Sequence, residues 1–81
     1  MTPTRVACIT GGARGIGFGI AQALARDGFD IVIADIRETA AAAEPVRALE
    51  ALGAKVLYVQ ADIAAAGARA ALLDRIRAAF G

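Results

Sequence analysis

The sequence contains no histidine and no tryptophan, and only one cysteine, one lysine, one tyrosine and two prolines in 81 residues. With no histidine and Cys8 alone, a zinc site of the Cys/His type cannot be assembled and no internal disulfide can form. The commonest general base at neutral pH is missing as well. Nine basic against eight acidic side chains leave a net charge of +1, which gives no electrostatic footprint for nucleic acid or for an anionic membrane surface. No apolar run approaches the roughly 18 residues of a membrane-spanning helix. After Arg5 only four apolar residues precede Thr10-Gly11-Gly12, too few for the core of a secretory leader. A lone cysteine fits a reducing compartment, so a cytoplasmic location is expected. The 58% hydrophobic content overstates the greasiness, because 22 residues are alanine, but it argues against disorder. At 8.2 kDa the chain makes one small domain at most, and such a length buries only about 60–65% of the unfolded surface.

Three short apolar runs punctuate the chain: Arg5 to Thr10 (RVACIT), Asp30 to Asp35 (DIVIAD) and Lys55 to Ala61 (KVLYVQA). Each is continuous rather than alternating and is bounded by charge or turn formers, which predicts strands buried on both faces of a parallel sheet. Cys8, mid-strand, reads as a small buried hydrophobe. Helical spacing fills the intervals. Ile16, Ile20 and Leu24 fall on one face between Gly15 and Asp27, and Gly28 is placed to stop that helix. Ala42, Val46 and Leu49 share a face between Thr39 and Leu52, ahead of Gly53. Pro45 inside that stretch predicts a kink or a frayed start. Leu72, Leu73, Ile76 and Phe80 line one side of a helix over 68–80. The order is β-α-β-α-β-α, with right-handed crossovers and a parallel sheet clothed by helices.

The densest signal is Thr10-Gly11-Gly12-Ala13-Arg14-Gly15-Ile16-Gly17, between the first strand and the first helix. Glycine allows a sharp turn and lets a ligand approach the main chain. The helix that follows offers unpaired N–H groups and a positive dipole end, the makings of a pyrophosphate site. The bland alternative is a tight strand–helix turn. The run is not a P-loop, since Ile16-Gly17 stands where Lys-Ser/Thr is needed, and G-x-G-x-x-G is broken at Ile20. The second signal is Asp35, at the end of the second strand and 18 residues beyond Gly17. A carboxylate there accepts hydrogen bonds from both hydroxyls of an adenosine ribose; otherwise it caps a helix or sits in solvent.

The spacing Thr-Gly-x3-Gly-x-Gly, met by Gly11, Gly15 and Gly17 with Ile16 between the last two, resembles the short-chain dehydrogenase/reductase family. The resemblance runs from Val6 to Gly81. It implies an α/β fold of Rossmann type, a three-layer parallel sheet of which the chain holds the amino-terminal β-α-β-α-β-α half. Residues 1–81 would then be an incomplete part of a single NAD(P)-binding domain with no second domain. Among family members, 3-oxoacyl-acyl-carrier-protein reductases and related sugar or alcohol dehydrogenases are the most similar in pattern. The implied cofactor contacts are Gly11, Ala13, Arg14, Gly15, Ile16 and Gly17 at the pyrophosphate, and Asp35 and Ile36 at the ribose. Ala61-Asp62-Ile63 resembles the family's Asp-Val pair, which puts Asp62 at the adenine amino group and the Ile63 N–H at a ring nitrogen. As a loop acid, Asp62 would instead cap the next helix. An acid at position 35 implies NAD over NADP, through its repulsion of a 2′-phosphate. Arg14 cuts the other way, since in some NADP-preferring relatives a basic residue just before the second motif glycine contacts that phosphate, and Arg37 could also reach it.

The family's catalytic serine, tyrosine and lysine have no counterpart in this sequence. Tyr58 is no substitute, because Tyr-x3-Lys would need lysine where Asp62 stands. The expected whole is a homo-oligomeric oxidoreductase roughly three times this long, which moves hydride between nicotinamide and a carbonyl or hydroxyl. The chain alone is expected to be inactive, with the rest of the sheet supplied by the missing carboxyl-terminal portion or by a second chain. The alternatives are a stand-alone nucleotide-binding or interaction module and a non-functional truncation.

Overall fold

A computed structural model of the chain describes residues 5–11 and 15–80. Strands β1 (Val6–Thr10), β2 (Asp30–Asp35) and β3 (Val56–Gln60) alternate with helices α1 (Gly15–Arg26), α2 (Ala43–Ala51) and α3 (Ala68–Phe80), and a 3₁₀ turn over Thr39–Ala42 leads into α2. The sheet order is β1-β2-β3, and both pairings are parallel. The fold is the Rossmann-like arrangement expected from the sequence.

Side chains alternate across the sheet, so β2 and β3 each feed two cores. On one face Ile31 and Ile33 of β2 meet Ala21 and Ala25 of α1 and Leu49 of α2, with Ala7, Ile9, Val56 and Tyr58 packed around them. On the other, Val32 and Ala34 meet Val59 and the α3 residues Leu72, Ile76 and Phe80. Ile31, Ile33, Leu49 and Val32 are the largest fully buried side chains. Each contributes about 1.5–3 kcal/mol relative to an exposed position.

Burial on both faces holds for β2 and fails for β1. Ala7 and Ile9 lie over α1, but Val6, Cys8 and Thr10 are exposed, because α3 covers β2 and β3 only. Cys8 is therefore no buried hydrophobe. In α1 the inward face is built on Ala21 and Ala25 with help from Phe18 and Leu24. Ile16 and Ile20 are 85% and 49% exposed. Small alanines let α1 approach the sheet closely, and that choice of face turns the two isoleucines away. Leu73, half-exposed, lies off the Leu72–Ile76–Phe80 stripe for the same rotational reason.

Pro45 produces neither a break nor a lost bond. It is the third residue of α2, within the first turn, where backbone N–H groups have no intrahelical partner. The chain ahead of α2 is a 3₁₀ turn over Thr39–Ala42. Gly28 and Gly53 end α1 and α2 in the left-handed region, as their positions predict.

Candidate functional site

The three strands end together. The Gly11 N–H donates to the Ala34 carbonyl at 2.7 Å, and the Ala61 N–H donates to the Asp35 carbonyl at 2.9 Å. The hydrogen-bond ladder thus runs one residue past β1 and β3, and it fixes the loops that leave the sheet. Above this edge lies an open cleft of about 590 Å³, within the range of small-molecule sites. Thr10 and Gly11 line it from β1, Gly15 from the start of α1, Ala34, Asp35 and Ile36 from β2, and residues 61–64 from the loop after β3. Ligands of open α/β sheets bind at this carboxyl edge.

Gly11 and Gly15 have φ of +66° and +64°, a region that penalises any side chain. A Cβ built at either position meets no atom of the described residues within 4 Å. Glycine is therefore required there by backbone conformation rather than by crowding. Gly17 lies inside α1, where the backbone is helical and makes no such demand. Gly15 opens α1 at the cleft, so the helix start, with its unpaired N–H groups, faces the same space.

Asp35 is the one buried charged residue among those described, 9% exposed. Its Oδ1 accepts the Arg37 N–H at 3.2 Å. The carbonyl of Arg37 in turn accepts the Tyr58 hydroxyl. Burial raises the Tyr58 pKa, the neighbouring Asp35 carboxylate raises it further, and the Arg37 guanidinium partly offsets both. Asp62 is exposed, and its Oδ1 accepts the Ala64 N–H at 3.0 Å. The Asp62 carbonyl accepts the Ala65 N–H. Asp62 thus shapes a local Asx-type turn; it does not cap α3, which begins at Ala68.

Of the residues singled out from the sequence, Gly11, Gly15, Asp35, Ile36, Asp62 and Ile63 surround this single cleft. Ile16 and Gly17 lie in α1 and are not among the lining residues, nor is Arg37, which is half-buried two residues past Asp35. Ala13 and Arg14 lie outside the described residues. Thr10 and Ala61, quoted at the head of the glycine-rich run and of Ala61-Asp62-Ile63, line it too. Ala34 and Ala64 also line it and were not singled out, because an alanine side chain carries no distinctive chemistry. Among the described residues no cluster of potential metal ligands occurs, and no helix is long and apolar enough to cross a membrane.

A parallel sheet wrapped by helices on both faces, with a glycine-opened helix and a buried acid at its carboxyl edge, is the Rossmann class of α/β protein. Within that class the chain belongs to the short chain dehydrogenase family, whose profile matches residues 5–81. The chain is 43% identical over 77 residues to cis-4-hydroxycyclohexanecarboxylate dehydrogenase of Sinomonas cyclohexanicum, a match that covers 95% of this chain and 30% of that protein. The structure of 3-oxoacyl-acyl-carrier-protein reductase from Brucella melitensis in complex with NAD superposes with a TM-score of 0.87 at 41% identity. It covers 100% of this chain and 31% of the reductase. L-sorbose reductase of Gluconobacter frateurii, complexed with NADPH and L-sorbose, superposes with a TM-score of 0.88 at 36% identity, covering 98% and 30%. The chain spans 24–31% of the length of the first curated relatives it matches.

Proposed function

We propose that this chain forms the adenine-nucleotide half of an NAD site in an oxidoreductase that transfers hydride between nicotinamide and a carbonyl or alcohol. The observation that carries the reading is the cleft itself, with Asp35 buried on one side and the glycine-opened start of α1 on the other. In this reading Gly11, Ala13, Arg14, Gly15, Ile16 and Gly17 surround the pyrophosphate, which the dipole and N–H groups of α1 attract. Asp35 accepts the adenosine ribose hydroxyls, with Ile36 beside the same sugar. Asp62 and the Ile63 main chain hold the adenine edge. The residues fit such a group: Gly15 has φ of +64°, and among the described residues nothing lies within 4 Å of where its Cβ would be. When bound, the dinucleotide supplies the hydride carrier; this chain's residues bind and orient it.

Relatives in complex with NAD and with NADPH bracket the cofactor choice. We assign NAD, because a buried carboxylate at the ribose repels a 2′-phosphate more than a surface arginine attracts it. The same reading makes residues 1–81 the first part of one dinucleotide-binding domain and the whole protein a cytoplasmic homo-oligomer. The exposed Val6 and Cys8 face of β1 would then be covered by the rest of the domain or by a second chain. No catalytic group is assigned to residues 1–81, and the chain alone is expected to be inactive.

The test is calorimetric titration of the chain with NAD and with NADP, repeated on Gly17→Val. Tighter binding of NAD, abolished for both nucleotides in Gly17→Val, is expected. Absence of binding, or unchanged affinity in a folded Gly17→Val chain, contradicts the reading.

A further inference from the structure

Tyr58 sits in β3 with its ring packed against the cluster of Ile31, Ile33 and Leu49, and it lines no part of the cleft. Its hydroxyl nevertheless crosses to the far end of β2 and donates to the Arg37 carbonyl. The N–H of the same Arg37 donates to Asp35 Oδ1. Arg37 is therefore gripped from both sides, by the core through Tyr58 and by the cleft acid through its own N–H. Between the two anchors lies Ile36, which is 69% exposed and forms part of the cleft wall. A bend with an exposed isoleucine has little packing to hold it, so two hydrogen bonds are a large part of what fixes its shape.

We propose that Tyr58 is a positioning residue for the ribose end of the cleft: its hydroxyl locks the turn over 35–37, and so sets the discrimination between a free 2′-hydroxyl and a 2′-phosphate. The proposal rests on the nucleotide reading above. With the lock in place, the Arg37 N–H fixes the Asp35 carboxylate as an acceptor. Once the lock is released, the Arg37 peptide turns, the Asp35 carboxylate loses the Arg37 N–H from among its contacts, and the guanidinium gains freedom to approach a 2′-phosphate. The influence of both Asp35 and Arg37 on the Tyr58 hydroxyl agrees with the three groups lying together.

Tyr58→Phe removes the hydroxyl and keeps the ring. The affinities of the substituted chain for NAD and NADP are compared with those of the unsubstituted chain, with thermal unfolding as the control for folding. NAD affinity is expected to fall roughly fivefold, the worth of one neutral hydrogen bond, while NADP affinity stays level or rises. A merely structural role weakens both nucleotides alike and leaves their ratio unchanged, which overturns the proposal while NAD binding itself stands. If neither nucleotide binds the unsubstituted chain, the underlying reading is what fails, and this proposal goes with it. Should Tyr58→Phe not unfold cooperatively, fluorotyrosine can be placed at position 58, the single tyrosine of the sequence. Its fluorine resonance is expected to shift on saturation with NAD, and an unmoved resonance overturns the lock.

Discussion

Replacing Gly15 and Gly17 by alanine, one at a time, separates what the turn needs from what a ligand needs. Gly15 has φ of +64°, and among the described residues nothing lies within 4 Å of where a Cβ would go. The conformational cost of Gly15→Ala is about 1–2 kcal/mol for a side chain in the left-handed region. That is a factor of about 5–30 in the folding equilibrium. In a chain this short it lowers the unfolding midpoint by about 4–8 °C for each kcal/mol. Gly17 is helical, the third residue of α1. Gly17→Ala removes backbone entropy from the unfolded chain and stabilises by up to about 1 kcal/mol. The two substitutions move stability in opposite directions, although they are two residues apart in one motif. Thermal unfolding followed by circular dichroism reads the difference directly. Equal stability of the two variants, or a Gly17→Ala chain less stable than Gly15→Ala, refutes the assignment of Gly15 to a conformational role. Nucleotide affinity adds the second half: Gly17→Ala is expected to bind more weakly while it melts higher, a combination that only a ligand-side role for Gly17 produces.

Three further outcomes are expected. Asp35→Ala weakens NAD by at least about 10–100-fold, the worth of a single hydrogen bond to a charged acceptor, and leaves NADP level or tighter; equal loss for both nucleotides contradicts the ribose assignment. The Tyr58 phenol ionises above its ordinary 10.0, so the folded state favours the protonated form. Its stabilising contribution is complete below the unfolded pKa and is lost as pH rises through the folded one. Phenolate absorbance of the native chain should rise at higher pH than in the urea-unfolded chain, and Asp35→Asn should bring that midpoint down. A native midpoint at or below the unfolded one contradicts this placement of Tyr58. Cys8, exposed on β1 yet pushed up from its ordinary pKa by partial burial, should be alkylated by iodoacetamide without unfolding, but more slowly than in the unfolded chain at the same pH, since only the thiolate reacts. Labelling that waits for unfolding contradicts its exposure.

The elements that were legible in the sequence are those whose signal is local. Asp30–Asp35 is a β-branched run closed by charge at both ends, and β2 has those bounds. The helix expected over about 68–80 is α3. Asp35 was legible as an acid at a strand end beyond a glycine-rich turn, and it lies buried in the cleft wall. What escaped depends on which surfaces meet. The run of β1 has the same apolar character as β2, yet hydrophobicity does not reveal whether a helix lies over a strand, so Cys8 emerged exposed. The inward face of α1 is made of alanines, whose weak hydrophobic signal was outweighed by Ile16 and Ile20. Pro45 announced an irregular helix start, but only the position of the 3₁₀ turn shows why it is tolerated. The tie between Tyr58 and Arg37 spans 21 residues, and nothing in the spacing of either residue points to the other.

The central claim is that the cleft above β1, β2 and β3 takes the adenine-nucleotide half of NAD. The most direct measurement is an amide NMR titration of the chain with NAD. The account predicts shifts concentrated at Gly11, Gly15, Asp35, Ile36, Asp62 and Ile63, with the amino edge of the sheet around Asp30 and Lys55 unmoved. Shifts scattered over the exposed face of β1, or none at saturating NAD, contradict it.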